Sequence, residues 1–267
     1  MWSRVASREM WSSQYKDKST GVPARSAFIG EMMKSEKMWD QLAKNWDTPG
    51  VSMGKNDLKI IEMTRKYLDS NSVALDYGCA TGSIALEIAG MAKAVHGIDI
   101  SSNMIEIAKS KADQQNIKNI AFARATIFDE SLGKESFDVI LSLSILHLVA
   151  DSAQVMDRIN QLLKPGGIFI SATPCLGEKA FLSVLMNIPI FLFSKVGVIP
   201  SITFFSGSRL MAAVTNSGFQ MIEQKDLSVH PLRECFIAAR KAWKVEDHAN
   251  SALAAPDADR NVVERNK

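Results

Sequence analysis

The chain is poor in cysteine, in net charge and in long apolar runs, and each shortage excludes something. Three cysteines in 267 residues, Cys79, Cys175 and Cys235, are too few for a disulfide framework and lack the spacing of a metal site. No metal is expected, and a reducing, cytoplasmic compartment is the simpler reading. A formal net charge of +2, from 31 basic and 29 acidic residues, leaves no clustered excess of Lys and Arg to grip nucleic acid. No stretch approaches the ~20 uninterrupted apolar residues of a transmembrane helix, so stable membrane insertion is not expected. Residues 1–37 lack the compact apolar segment of a secretory signal. Arg4, Arg8 and Arg25 among serines would suit an organelle transit peptide, but Glu9, Asp17 and Glu31 count against one. What remains is an ordinary globular composition, 46% hydrophobic and 22% charged, long enough for one sizeable domain with tails.

The most informative stretch runs from Val73 to Ser83. Val73-Ala74-Leu75 reads as a buried parallel strand ending in Asp76, and small residues at Gly78, Ala80 and Gly82 then allow a tight turn. Ile84, Ala85, Leu86 and Ile88 follow at helical spacing. Strand, glycine turn and helix together bring backbone N–H groups close to a ligand. A dinucleotide site would need G-x-G-x-x-G, and Ala80 and Ser83 break that fingerprint twice. A second strand, Ala94 to Asp99, again ends in an acid, 21 positions past Gly78. A carboxylate there accepts hydrogen bonds from ribose hydroxyls, so Asp99 indicates a nucleoside without naming the cofactor. Ser101 or Ser102 caps the next helix.

Asn119 to Arg124 forms the third strand, and Ser136-Phe137-Asp138-Val139-Ile140-Leu141-Ser142-Leu143-Ser144 the fourth. Ile145-Leu146-His147-Leu148-Val149 follows. A helix through Leu163 leads into Leu163-Lys164-Pro165-Gly166-Gly167, a turn in which Pro fixes φ and the glycines permit positive φ. Ile168 to Ser171 is the fifth strand. Ser206 to Ser217 is a helix stopped by Gly218, and strands from Phe219 and from Glu234 finish the sheet as a hairpin.

D-x-G-C-A-T-G, the acid of the second strand, S-F-D-V and L-K-P-G-G occur in the order and spacing of the class I S-adenosylmethionine-dependent methyltransferases. Over residues 70–173 the chain resembles their small-molecule, ubiquinone/menaquinone-biosynthesis-like (methyltransferase type 11) group. The resemblance implies an α/β fold: a doubly wound, Rossmann-like, mostly parallel sheet of seven strands, one antiparallel, with helices on both faces. It implies S-adenosyl-L-methionine as cofactor, held by Asp76, Gly78, Cys79, Ala80, Gly82, Asp99, Ile100, Thr126, Ile127 and Ser142. The family usually has Gly at the position of Ala80, where one methyl narrows the loop without blocking it. It commonly places an Asp at the position of Thr126 to meet the adenine amino group. Thr126 lacks that charge, and Asp129 is the alternative. A nicotinamide oxidoreductase and a non-catalytic adenosyl-binding protein are the competing readings.

The expected reaction is in-line methyl transfer to an O, N or C atom of a small, apolar or aromatic acceptor. His147 is the histidine beside the reaction centre. It would accept a proton from an attacking hydroxyl, orient substrate or bind a backbone carbonyl. Pro174-Cys175 echoes the nucleophilic dipeptide of cytosine methylases but follows the fifth strand, not the fourth. No N/D-P-P-Y/F follows strand four, which removes the resemblance to amino-group methylases of adenine or glutamine. Leu42 and Trp46 are expected on one helix face, and Leu58, Ile61 and Leu68 on the inner side of the next helix. The expected divisions are an extension over 1–37, a methyltransferase domain over 38–245 and a tail over 246–267. Within the domain, an apolar insertion at about 177–206 reads as a lid, with Trp46, Phe191 and Phe193 as substrate contacts. Only Lys179 and Lys195 would offer that stretch a basic face, so membrane contact is at most peripheral. Oligomeric state is not addressed by any of these signals.

Overall fold

The computed structural model describes residues 35–48, 54–175, 203, 205–227 and 234–242. Helix α1 covers residues 35–43, so the described residues begin inside the expected extension. After it come α2 (Lys55–Arg65), β1 (Val73–Tyr77), α3 (Ser83–Ala89), β2 (Ala94–Asp99), α4 (Ser102–Gln114), β3 (Ile120–Arg124) and β4 (Phe137–Leu143). A short 3-10 turn (Leu146–Leu148) leads to α5 (Ser152–Leu162), β5 (Leu163–Pro174), α6 (Gly207–Asn216), β6 (Phe219–Asp226) and β7 (Glu234–Lys241). The sheet order is β3-β2-β1-β4-β5-β7-β6, with β7 antiparallel to both of its neighbours. This is the expected seven-stranded, doubly wound sheet. Chain order reverses between β1 and β4, and such sheets open their ligand crevice outside the carboxyl ends of the strands there.

Period-two alternation divides the core between the two faces. Leu75, Phe169, Ile237 and Ala239 pack on one side with Val155 and Ile159 of α5 and Leu210 and Val214 of α6. Ala74, Ile170, Phe236 and Ala238 pack on the other with Ile60 of α2, Leu86 of α3 and Ile105 and Ala108 of α4. Both faces are covered, which is why β1 and β4 read as nearly continuous apolar runs. Ser101, rather than Ser102, caps α4 by accepting the Met104 N–H at 3.1 Å.

Two motif pieces turn out to be clamps. Asp138, the acid of S-F-D-V, accepts the Val73 N–H of β1 at 2.9 Å and the Lys164 ammonium at 2.7 Å. Lys164 to Gly167 is not a turn outside the sheet. It is a bulge within β5, because Phe137 pairs with Leu163 while Val139 already pairs with Ile168. Two further expectations fail. Leu58 is 59% exposed, the inner face of α2 being Ile60, Ile61, Met63 and Thr64. Leu42 is 44% exposed, and Trp46 lies past the end of α1, its ring edge-on to Trp39 at 5.9 Å. Spacing alone placed Leu58 inward and put Leu42 and Trp46 on one helix face, but the chain leaves the helix after residue 43, before Trp46.

A Cβ on Gly167 would stand 2.9 Å from the Lys164 carbonyl oxygen and 3.1 Å from that of Asp138, both backbone atoms that cannot swing aside. Gly167→Ala is therefore expected to destabilise the protein by about 2 kcal/mol through overpacking. Urea unfolding checks this, with a lower midpoint at an unchanged slope. An unaltered midpoint would mean that the bulge yields easily.

Candidate active site

Asp76 ends the buried part of β1, and the chain then turns through Gly78 (φ +77°), Ala80 (φ +47°) and Gly82 (φ +76°). The Gly78 and Cys79 N–H groups both donate to the Ile98 carbonyl of β2, at 2.8 and 3.0 Å. Gly82 is required sterically as well, since a Cβ there would come within 2.6 Å of the Phe122 ring. Ala80 holds a left-handed conformation that glycine adopts freely, so the methyl that seemed only to narrow the loop also strains it.

Two carboxylates flank this turn. Asp99 accepts the Ala80 N–H at 3.1 Å and the Ser101 N–H at 2.9 Å, one on each oxygen. Asp76 is 3% exposed; burial first, then repulsion from Asp99, push it up to about 7. Asp99 is also raised by burial, against the pull of its N–H donors. The Cys79 thiol, buried beside both acids, is pushed far up and stays protonated. A dry loop with two crowded carboxylates favours a ligand that brings positive charge or hydroxyl donors.

Three acids on the N-terminal segment fasten it over this site, and the sequence reading missed all three. Glu36 pairs with Arg124, which ends β3, at 2.5 Å. Asp40 accepts from the Ser101 hydroxyl at 2.6 Å and the Asn103 N–H at 3.1 Å, at the start of α4. Asp47 accepts from the Thr81 hydroxyl at 2.9 Å and pairs with Lys111 at 2.8 Å. The segment thus binds the loops after β1 and β2 and the end of β3, and it brings Trp46 beside the glycine turn. The signal was available as acids at 36, 40 and 47 on a segment read only as a cap.

Past β3, Thr126 is buried and its hydroxyl accepts the Phe128 N–H at 3.3 Å. Ile127 turns its side chain wholly into the core, and its carbonyl accepts from Arg158 at 3.3 Å. The Ile100 carbonyl accepts from Arg124 at 3.2 Å. Asp129 accepts the Ser131 N–H at 2.9 Å.

At the carboxyl end of β4, Ser142 is fully buried and its hydroxyl has no hydrogen-bond partner. Ser144 takes φ +52°, and its hydroxyl donates to Glu234 at 3.3 Å. His147 lies in the 3-10 turn with Nδ1 buried and without a partner. Burial lowers this imidazole to about 4, so it is neutral at neutral pH. Cys175 is a buried thiol whose Sγ is 3.6 Å from the Thr173 carbonyl oxygen. Phe191, Phe193 and most of the expected lid at 177–206 lie outside the described residues. Phe205, near its end, is packed in the core beneath α6. Among the described residues no group of three or more His, Cys, Asp or Glu is placed to hold a metal ion. No helix among them is long and apolar enough to cross a membrane.

Comparison with known proteins fits this geometry. A family model described as a methyltransferase domain matches residues 68–191. The ubiquinone biosynthesis O-methyltransferase of Coxiella burnetii is 26% identical over 209 residues, which span 76% of this chain and 88% of that protein. A solved S-adenosylmethionine-dependent methyltransferase of Methanosarcina mazei superposes with a TM-score of 0.57 at 22% identity, over 68% of this chain and 98% of that one. A geranyl diphosphate methyltransferase solved with S-adenosylmethionine gives a TM-score of 0.57 at 14% identity, over 73% of this chain and 92% of that one. Fold, motif order and domain match together support a class I small-molecule S-adenosylmethionine-dependent methyltransferase, with S-adenosylmethionine as its cofactor.

Proposed function

We propose that the enzyme methylates a hydroxyl on a small, apolar, aromatic or quinol-like acceptor. The name of the Coxiella relative supports oxygen as the nucleophile. The observation that carries the site assignment is the pair of buried carboxylates, Asp76 and Asp99, at the ends of adjacent strands around a turn with three positive-φ residues. The residues present fit the cofactor. The turn at Gly78 to Gly82 cradles its amino-acid end, and Asp99 meets the ribose hydroxyls. Asp76 faces positive charge, and the orphaned Ser142 hydroxyl is left to gain a partner.

When bound, the cofactor supplies an activated methyl group on a sulfonium that leaves as a neutral thioether. The chain's own residues position and exclude. Asp40 and Asp47 hold the N-terminal segment across the site, and the turn fixes the reactants in line. Trp46, His147, Phe191 and Phe193 are assigned to the acceptor side, and Ile100, Thr126 and Ile127 to the adenine side through backbone and packing.

Incubating the protein with methyl-labelled S-adenosylmethionine and a 4-alkylcatechol tests the acceptor class. A labelled methyl ether is expected; label on nitrogen or carbon in parallel amine and alkene acceptors, with none on oxygen, would overturn it. Asp99→Asn is expected to weaken S-adenosylhomocysteine binding by about 1.5–3 kcal/mol in a folded variant, read by calorimetry.

The state of Asp76 yields a pH prediction. Its raised value favours the protonated carboxyl in the free fold, so stability falls as pH rises from about 4 towards about 7. A cationic ligand favours the ionised form. Binding S-adenosylmethionine, whose sulfonium is a fixed positive charge, should therefore release protons below pH 7, and affinity should rise up to that pH and then level. Calorimetry in buffers of different ionisation heat measures the release, which Asp76→Asn should abolish.

Ala80→Gly tests the strained turn. Left-handed backbone costs a non-glycine residue roughly 1–2 kcal/mol, and glycine's extra unfolded-state freedom costs roughly 0.5–1 kcal/mol. The variant is expected to be more stable by up to about 1 kcal/mol with cofactor affinity within twofold. A less stable variant would mean that the methyl packs usefully.

A further inference from the structure

Glu234 is the first residue of β7 and pairs with Pro174 at the carboxyl end of β5. Because β7 runs antiparallel, its start lies on the same edge of the sheet as the ends of β1, β4 and β5, the edge that carries the glycine turn. Each carboxylate oxygen has one neutral donor. The Ser144 hydroxyl donates to Oε1 at 3.3 Å and the Asn56 amide of α2 to Oε2 at 3.0 Å. Asn56 also holds the Leu227 carbonyl at 3.2 Å, and the Leu227 N–H donates to the Glu234 carbonyl at 2.8 Å. The carboxylate is thus held from the residue after β4 and from α2, and its backbone carbonyl from the residue after β6.

Its distance from the cofactor loop is short along the chain. Ile145 follows Ser144, and a Cβ on Gly78 would lie 3.1 Å from the Ile145 side chain. Ser144 adopts its left-handed conformation while donating its N–H to Ala172 at 2.7 Å. A non-glycine residue held there is strained, and such strain clusters at functional sites. Here it aims a hydroxyl at a carboxylate.

We infer that Glu234 is the general base of the reaction, held by Ser144 and Asn56 to take the proton from the acceptor hydroxyl. The inference rests on the O-methylation reading above. In the step, the acceptor O–H bond breaks and its proton passes to a Glu234 oxygen. The electron pair left on the acceptor oxygen forms the new O–CH3 bond, and the S–CH3 bond breaks with its pair on sulfur. Glu234 then returns its proton to water. The rival base is His147, and burial acts oppositely on the two. It lowers the imidazole to about 4 and raises the carboxyl above its ordinary 4.5, which reverses their usual order of basicity. Among the groups around Glu234, Asp57 of α2 adds further repulsion, Asn56 and Ser144 oppose it, and β6 contributes Asp226 opposite Cys235.

The test uses the full chain, saturating S-adenosylhomocysteine and 4-nitrocatechol, whose visible band reports its phenolate form. The wild type should bind the probe as phenolate at a pH where free probe is protonated. Glu234→Gln should bind it within about threefold but leave it protonated, while His147→Gln, whatever it does to affinity, should still bind it as phenolate. With S-adenosylmethionine present, Glu234→Gln should lower kcat by 10²–10⁴ and remove the acidic limb of the pH profile. Ser144→Ala, which removes one donor from the carboxylate, should move that limb to higher pH with little change in melting temperature. It serves as the deciding variant if Glu234→Gln does not fold. An unchanged phenolate band and pH profile in Glu234→Gln, or an unmoved limb in Ser144→Ala, would overturn the assignment. A wild type that methylates nitrogen or carbon but no catechol would overturn the O-methylation reading and the base with it.

Discussion

Asp76 and Asp99 are two carboxylates at the ends of adjacent parallel strands, and the protein keeps both nearly dry. Isolated burial of a carboxylate is costly, and a second one nearby raises the cost. Part of that cost is met inside the fold, because Asp99 takes backbone N–H groups from Ala80 and Ser101. For Asp76 the remedy inside the fold is its raised value, which keeps it protonated. The outstanding remedy is a ligand. A cofactor with positive charge and ribose hydroxyls answers both acids, so the same arrangement that destabilises the free site supplies selectivity for what fills it.

The rest of the carboxyl edge is arranged around this constraint. The turn is pinned to β2 through the Ile98 carbonyl, and Asp99 grips the turn itself at Ala80. Outside it, Glu36, Asp40 and Asp47 fasten the N-terminal segment to the first three strand ends. These are not equivalent contacts. Asp40 reaches a Ser101 hydroxyl that is wholly buried, so that bond is shielded from water. Asp47 and Lys111 are about a third and a quarter exposed, and pairs of that kind contribute at most about 1 kcal/mol. Asp40 is therefore the principal fastening, and the other two set orientation.

Much of this was legible in the sequence. The seven strands and the two strand-end acids followed from apolar runs, glycine placement and motif order, signals that are local, and the antiparallel strand from the closing hairpin and the family resemblance. The failures have a common cause. Leu58 was placed inward, and Leu42 on one face with Trp46, by helical spacing, which cannot say where a helix ends or which neighbour it meets. The lysine-proline-glycine segment was read as a turn because a bulge within a strand uses the same residues. Asp40, Asp47 and Glu234 were invisible because their importance lies in partners 34 to 90 positions away. Composition and spacing carry no trace of such pairings.

The division between clamps and chemistry explains why resemblance reached the fold and the cofactor but stopped short of the acceptor. Asp138, Lys164 and Gly167 secure β1, β4 and β5 against one another, so they are needed whatever is methylated. Asp76, Asp99 and the turn are the groups proposed above to meet the cofactor. The acceptor is proposed to meet a different set, grouped past β4 and at the start of β7: Ser142 with its orphaned hydroxyl, strained Ser144, neutral His147 and half-buried Glu234. None of these four belongs to a clamp that the sheet requires, and each carries a departure from relaxed protein chemistry that the fold alone does not call for. On the proposed reading, selectivity among hydroxyl, amine and carbon acceptors would be decided there, because groups on that side of the turn would set the nucleophile's proton, its charge and its approach.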